Sequence, residues 1–222
     1  CDAFLPGCSM ALNTDFSSLD EFINSRQATP YCNKCFRKGR SIYEPLGLPI
    51  HWYSELVTTD DVQKAGALAK SIPAGEIPGY RWNGLAVGEH AFAGALRFFG
   101  TGDLNGEPSA ENVLRRFFEG ALLATFVTDR LLREIPFECA AFHHGIYVPQ
   151  GLIGEVTRRA GVRVVNWIQA YRKRCFVFSH DDTYHHTMMT EPTDRWEDMS
   201  WNSEIEDRLL GYLKSRWKGT RD

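Results

Sequence analysis

Apolar positions recur at helical spacing along most of the chain and change to short continuous runs only in its second half. Leu19, Phe22 and Ile23 fit a helix opened at Ser17-Ser18 and broken at Thr29-Pro30. A second helix is predicted from Cys32 to about Glu44, stopped near Pro45-Leu46-Gly47, and Leu48–Trp52 reads as extended. Thr58-Thr59-Asp60-Asp61 caps a third helix through Val62, Ala65, Leu68 and Ala69, ended by Pro73. Residues 75–88 read as irregular, with Asn83-Gly84 in a turn. Glu89–Phe99 is a small-residue helix. Ser109-Ala110-Glu111 opens the longest one, to about Glu134, with apolar residues over much of its circumference.

The period changes after Pro136. Phe137–Phe142 reads as a buried strand, Pro149–Ala160 as a helix closed by Gly161, and Val162–Trp167 as the next strand. Together they make a βαβ unit of about thirty residues. Phe176–Ser179 is a third strand candidate, and an amphipathic helix is predicted from Asn202 to Trp217. The expected fold class is α/β, a sheet flanked by many helices. Residues 1–60 form a Cys-containing helical and loop segment packed on a main domain of residues 61–222.

The chain has 222 residues and a net charge of −3, with 43% apolar and 24% charged residues. One sizeable core is affordable at that length. A charge this near neutrality gives no basic field, so nucleic acid is not an expected partner. No apolar run approaches a transmembrane span. Aromatics reach 13%, which suits a core and also a glycan or protein surface.

Candidate chemistry gathers at the predicted strand ends, where open α/β sheets bind ligands. His143, His144, Gly145 and Tyr147 follow the first strand. His144, with His143 as alternate, is the candidate general base, since imidazole titrates near neutrality. Gly145 admits a ligand close to the backbone, and Tyr147 and Tyr171 would stack on or bond to a sugar. Arg172, within Tyr171-Arg172-Lys173-Arg174, would hold a phosphate or acidic group. His180 and Asp181, in the polar run Ser179–His186, would line the same cleft. That run fits no metal-ligand spacing and reads as a sugar or phosphate site or as a structural loop. No phosphate-cradling glycine loop and no nucleophile elbow is present.

Cys1, Cys8, Cys32 and Cys35 form a separate set containing one C-x2-C pair. Cys8, Cys32 and Cys35 are candidate ligands of a structural zinc, with a disulfide or free thiols as the alternatives. Cys139 and Cys175 read as small buried hydrophobes.

Several stretches resemble bacterial surface and capsular polysaccharide biosynthesis proteins. They are Cys32-Asn33-Lys34-Cys35, Gly84–Glu89, His144–Pro149 with Gly161–Val165, Ala170-Tyr171-Arg172 to Ser179–Asp182, Trp196-Glu197 and Tyr212–Arg216. The resemblance implies a glycosyltransferase of the GT-B type, two Rossmann-like domains facing a cleft. It implies that this chain is the N-terminal, acceptor-side half, with a Rossmann-like parallel sheet. A donor-binding half would follow the Trp217–Asp222 tail. It further implies a nucleotide-sugar donor, a glycan acceptor and no cofactor required for the chemistry. The implied location is the cytoplasm, or its face of the inner membrane. The alternative is a non-catalytic module that binds glycan or protein through its aromatics and the Cys region.

Overall fold

A computed structural model describes residues 16–25, 30–170, 174–190, 192, 194 and 197–220, with the backbone alone described at 30–32, 188 and 189. The helices are α1 (Leu19–Ser25), α2 (Pro30–Tyr43), α3 (Tyr53–Leu56), α4 (Thr59–Ser71), α5 (Val87–Phe99), α6 (Ala110–Glu134), α7 (Gln150–Arg159), α8 (Tyr184–Thr190) and α9 (Ser203–Trp217). The strands are β1 (Cys139–His143), β2 (Arg163–Gln169) and β3 (Phe176–His180).

Helix α6 is the spine. Val113, Leu114, Phe117, Phe118, Ala121, Leu122, Leu123 and Ala124 are buried in it, which covers its whole circumference. Such a helix needs partners all round. Helices α4 and α5 pack on it, α7 packs elsewhere along it, and α7 in turn packs on β1 and β2. Helix α1 also lies against α6, with Ser109 Oγ donating to Asp20 Oδ1 at 2.6 Å, so part of the 1–60 segment belongs to this core.

Two arginines of α6 hold both ends of α4. Arg115 Nη1 donates to the carbonyls of Ala69 (2.6 Å) and Ile72 (2.7 Å), closing the C-terminal turn. Arg130 Nη2 grips both carboxylate oxygens of Asp61 at 2.9 and 2.8 Å. Asp61 also completes the predicted capping box with Thr58. Burial opposes the Asp61 carboxylate, but the Thr58 N–H and Arg130 outweigh it and hold its pKa below the ordinary aspartate value. The stability it contributes is present above that ordinary value and is lost as pH falls through the lowered one.

The sheet runs β1-β2-β3. Strands β1 and β2 are parallel, as the βαβ reading requires, with Cys139 opposite Arg163 and His143 opposite Trp167. Strand β3 runs antiparallel, with Val165 opposite His180 and Gln169 opposite Phe176. The expected Rossmann-like parallel sheet is therefore corrected to a small mixed sheet in a predominantly helical α/β fold. The reason is the link: residues 170–175 suffice for a reversal, whereas a parallel return takes a crossover of a dozen or more residues.

One sheet face, with Phe142, Val164, Asn166 and Ser179, lies toward α7 and the core. On the other, Trp167 stacks with Phe176, and Phe176 and Phe178 are 50% and 60% exposed. Cys139 is half-buried and Cys175 exposed, not buried as expected, because one begins an edge strand and the other precedes one. Among the described residues no helix is long and apolar enough to cross a membrane.

Gly88 permits the closest approach in the core. A Cβ there would sit 1.7 Å from the carbonyl oxygen of Ile77. Backbone cannot rotate away as a side chain can, so Gly88→Ala should cost about 3 kcal/mol. Gly211→Ala, in α9 with open space around it, should be neutral or stabilise by about 0.5–1 kcal/mol. Urea unfolding of the two variants checks both signs; Gly88→Ala within 1 kcal/mol of the parent would refute the packing.

Candidate functional site

The β1–α7 connection opens with two consecutive residues in the left-handed region. His144 and Gly145 both have positive φ, 69° and 78°. For histidine that backbone costs about 1 kcal/mol or more, and strain of this kind collects at functional sites. Gly145 is constrained a second way: a Cβ on it would lie 2.3 Å from Asn166 Oδ1. His90, on α5, fixes the rest of the loop. Its Nδ1 donates to the carbonyl of Ile146, and its ring lies against Gly151, where a Cβ would come 2.2 Å from Nδ1. Its Nε2 stands 3.8 Å from Glu155 Oε1.

A cavity of about 420 Å³ opens on one side of this loop, lined by Arg97 and Phe98 of α5, Phe117, His143, His144, Tyr147 and Gln150. The Arg97 guanidinium lies 4.5 Å over the Tyr147 ring, a cation–π contact. The His143 and His144 rings meet edge to face at 3.9 Å. His144 Nδ1 is 3.3 Å from the Tyr184 hydroxyl. Burial, then His143, Arg97 and His185, hold the His144 pKa below the ordinary 6.5. His144 is therefore neutral at neutral pH. Nδ1–H donation to Tyr184 Oη would leave Nε2 free to accept a proton.

A second cavity, of about 470 Å³, opens on the other side. Helix α5 supplies Glu89, His90 and Ala93, helix α7 supplies Glu155 and Arg158, and the loop supplies Gly145 and Ile146. Asp181 to Thr183 with His185 and His186 close it, and Arg81 stands at its edge. The turn after β3 brings this last segment back across the sheet. Asn166 Nδ2 and Ser179 Oγ both donate to the Asp182 carbonyl, at 2.9 and 2.7 Å. The His90 ring facing it, against the opposing effect of burial, keeps Glu155 below the ordinary glutamate pKa, so it is ionised. Asp182 pairs with His186 at 3.0 Å.

The expected site residues are thus divided. His143, His144 and Tyr147 share the first cavity; Gly145 and Asp181 share the second. His180 joins neither lining. It is exposed on the open sheet face, opposite Val165, because the antiparallel β3 carries its C-terminal end away from that of β1. Tyr171 and Arg172 lie outside the described residues, as do Cys1, Cys8 and the Cys32 side chain. Cys35 is an exposed free thiol on α2. Among the described residues no group of three or more His, Cys, Asp or Glu is placed to hold a metal.

Sequence reasoning missed Arg97, His90, Glu155, Arg158 and Tyr184. The available signal was a buried histidine and an arginine on an otherwise small, apolar helix (α5), together with Gly151 in the first turn of α7. Comparisons with protein-family models, curated proteins and solved structures return no match.

The His144 assignment can be read directly by NMR. Its imidazole should titrate below 6.5, and Arg97→Ala or His143→Ala should each move the midpoint upward by removing a neighbouring positive charge. A midpoint at or above 6.5, or one indifferent to both substitutions, would refute the electrostatic account.

Proposed function

We propose that the chain is the acceptor side of a glycosyltransferase, with His144 as the base that activates an acceptor hydroxyl. One observation carries the reading: a neutral histidine, bonded through Nδ1 to Tyr184, faces a cavity that also holds Arg97 and Tyr147. The resemblance to surface polysaccharide biosynthesis proteins supports the choice of sugar as substrate. Nε2 of His144 takes the hydroxyl proton as the acceptor oxygen attacks the anomeric carbon of a nucleotide sugar, and the nucleoside diphosphate leaves. Tyr147 stacks on the acceptor and Arg97 offsets negative charge developing nearby. The donor is held by a further domain, closing over the loop as cleft enzymes do. No metal is assigned a step.

A second reading is favoured by a separate observation. The exposed Phe176 and Phe178 beside Trp167 make an aromatic surface of the kind a glycan- or protein-binding module presents.

Transfer from nucleotide sugars by the product of the complete reading frame separates the two. His144→Ala should lower turnover by about 10²–10⁴-fold with the circular dichroism spectrum unchanged. The acid limb of kcat/KM should fall below pH 6.5, since the depressed pKa keeps the base unprotonated to lower pH. Tyr184→Phe should reduce turnover about 2–10-fold, the loss of one positioning hydrogen bond. Parent-level turnover in His144→Ala would eliminate the base assignment. Trp167→Ala abolishing glycan binding in a chain without transfer activity would favour the module.

A further inference from the structure

The second cavity carries polar groups that the fold leaves unsatisfied. Arg158 Nη1, Thr183 Oγ1 and His185 Nε2 are buried, belong to residues that line it, and have no hydrogen-bond partner among the described residues. Asn166 Oδ1 is in the same condition directly beneath Gly145. Thr183 is 5% exposed and Asn166 fully buried. Buried polar atoms in folded proteins are nearly always paired, so three orphans on the lining residues of one cavity point to an outside group that bonds there.

The lining also states what kind of group that is. Arg81 and Arg158 face Glu89, Glu155, Asp181 and Asp182. Glu155 is engaged by His90 and Arg158, and Asp182 by His186 and the Thr183 N–H. Glu89 and Asp181 remain to oppose a phosphate or carboxylate. The orphan atoms on the lining residues comprise a pure donor, a hydroxyl that donates and accepts, and an imidazole nitrogen. A ligand satisfying that set must both donate and accept at several points. The apolar floor of Ala86, Ala93 and Ile146 suits a ring with one less polar face.

We infer that this cavity binds an uncharged, hydroxyl-rich ring, with Arg158, Thr183 and His185 as its hydrogen-bonding partners. The inference rests on the glycosyltransferase reading only for the identity of that ring as part of the acceptor glycan. It gives the acceptor a second holding point across the 144–149 loop from His144. Remote binding of this sort orients a hydroxyl for reaction.

Saturation-transfer NMR and calorimetric titration of this chain test it, with methyl glycosides of glucose, galactose and N-acetylglucosamine, with glucuronate, and with inorganic phosphate. At least one neutral glycoside should bind. Thr183→Val and Arg158→Gln should each weaken it about 5–10-fold. Ala93→Leu, which fills the floor from α5, should abolish binding. Thermal unfolding of each variant separates lost contacts from lost fold, and Ala93→Leu leaves every polar partner in place. Tighter binding of phosphate or glucuronate than of any neutral glycoside would overturn the inference. So would binding indifferent to all three substitutions, or no binding by any probe, which would leave the orphan atoms to water. Failure of His144→Ala to lower turnover would remove the base assignment and leave this result standing. Absence of glycoside binding alongside a His144-dependent turnover would do the reverse.

Discussion

The buried imidazole of His90 joins the two halves of the molecule. It sits on α5, donates to the backbone of the β1–α7 loop at Ile146, touches Gly151 and faces Glu155 of α7. A buried ring hydrogen-bonded on one side and facing a carboxylate on the other is costly to disturb, because the Ile146 carbonyl would be left unsatisfied. It tethers the loop to the helical core while α6 and α7 provide the apolar contact beneath. The strained pair His144-Gly145 is itself held by backbone hydrogen bonds to the Trp167 and His143 carbonyls and by the contact of His144 Nδ1 with the Tyr184 hydroxyl. Rigid placement of the proposed base requires a supporting shell of this kind.

Local elements were legible in the sequence because each follows from nearby residues. The helix capped at Thr58–Asp61, the helix that starts after Asn202 and the β1–α7–β2 unit form as their patterns predict. The direction of β3 follows from the length of a link, and it was obscured by the expectation of one parallel sheet. Helix α8 was hidden because Tyr184–Thr190 carries no apolar period and reads as a polar run. The short helix at Tyr53–Leu56 and the 3-10 turn at Ala74–Gly79 are below the length at which periodicity speaks.

Half of the candidate site was legible for the same reason. His143, His144, Gly145 and Tyr147 are contiguous, so one motif exposes them. Their partners come from far along the chain: Arg97 from α5, and Tyr184 from beyond β3. Nothing in a single sequence couples residue 97 to 147 or 144 to 184. His180 and Asp181 show the limit from the other side. Neighbours in sequence, they separate in space, because strand alternation sends His180 to the open face while the positive-φ backbone at Asp181 turns the chain toward the core.

The two cavities share one loop as a wall but differ in charge. Arg97, His143 and His144 line the first, and no carboxylate is among its lining residues; carboxylates outnumber arginines in the second. Under the proposed transfer, the side without carboxylates would suit the anionic leaving group and the other side the uncharged acceptor ring. The charge difference also accounts for the His144 pKa: the cationic side lowers it beyond what burial does alone. A base held neutral in this way is weaker than free imidazole, but a larger share of it is unprotonated at pH 7. The arrangement thus exchanges intrinsic basicity for occupancy of the reactive form.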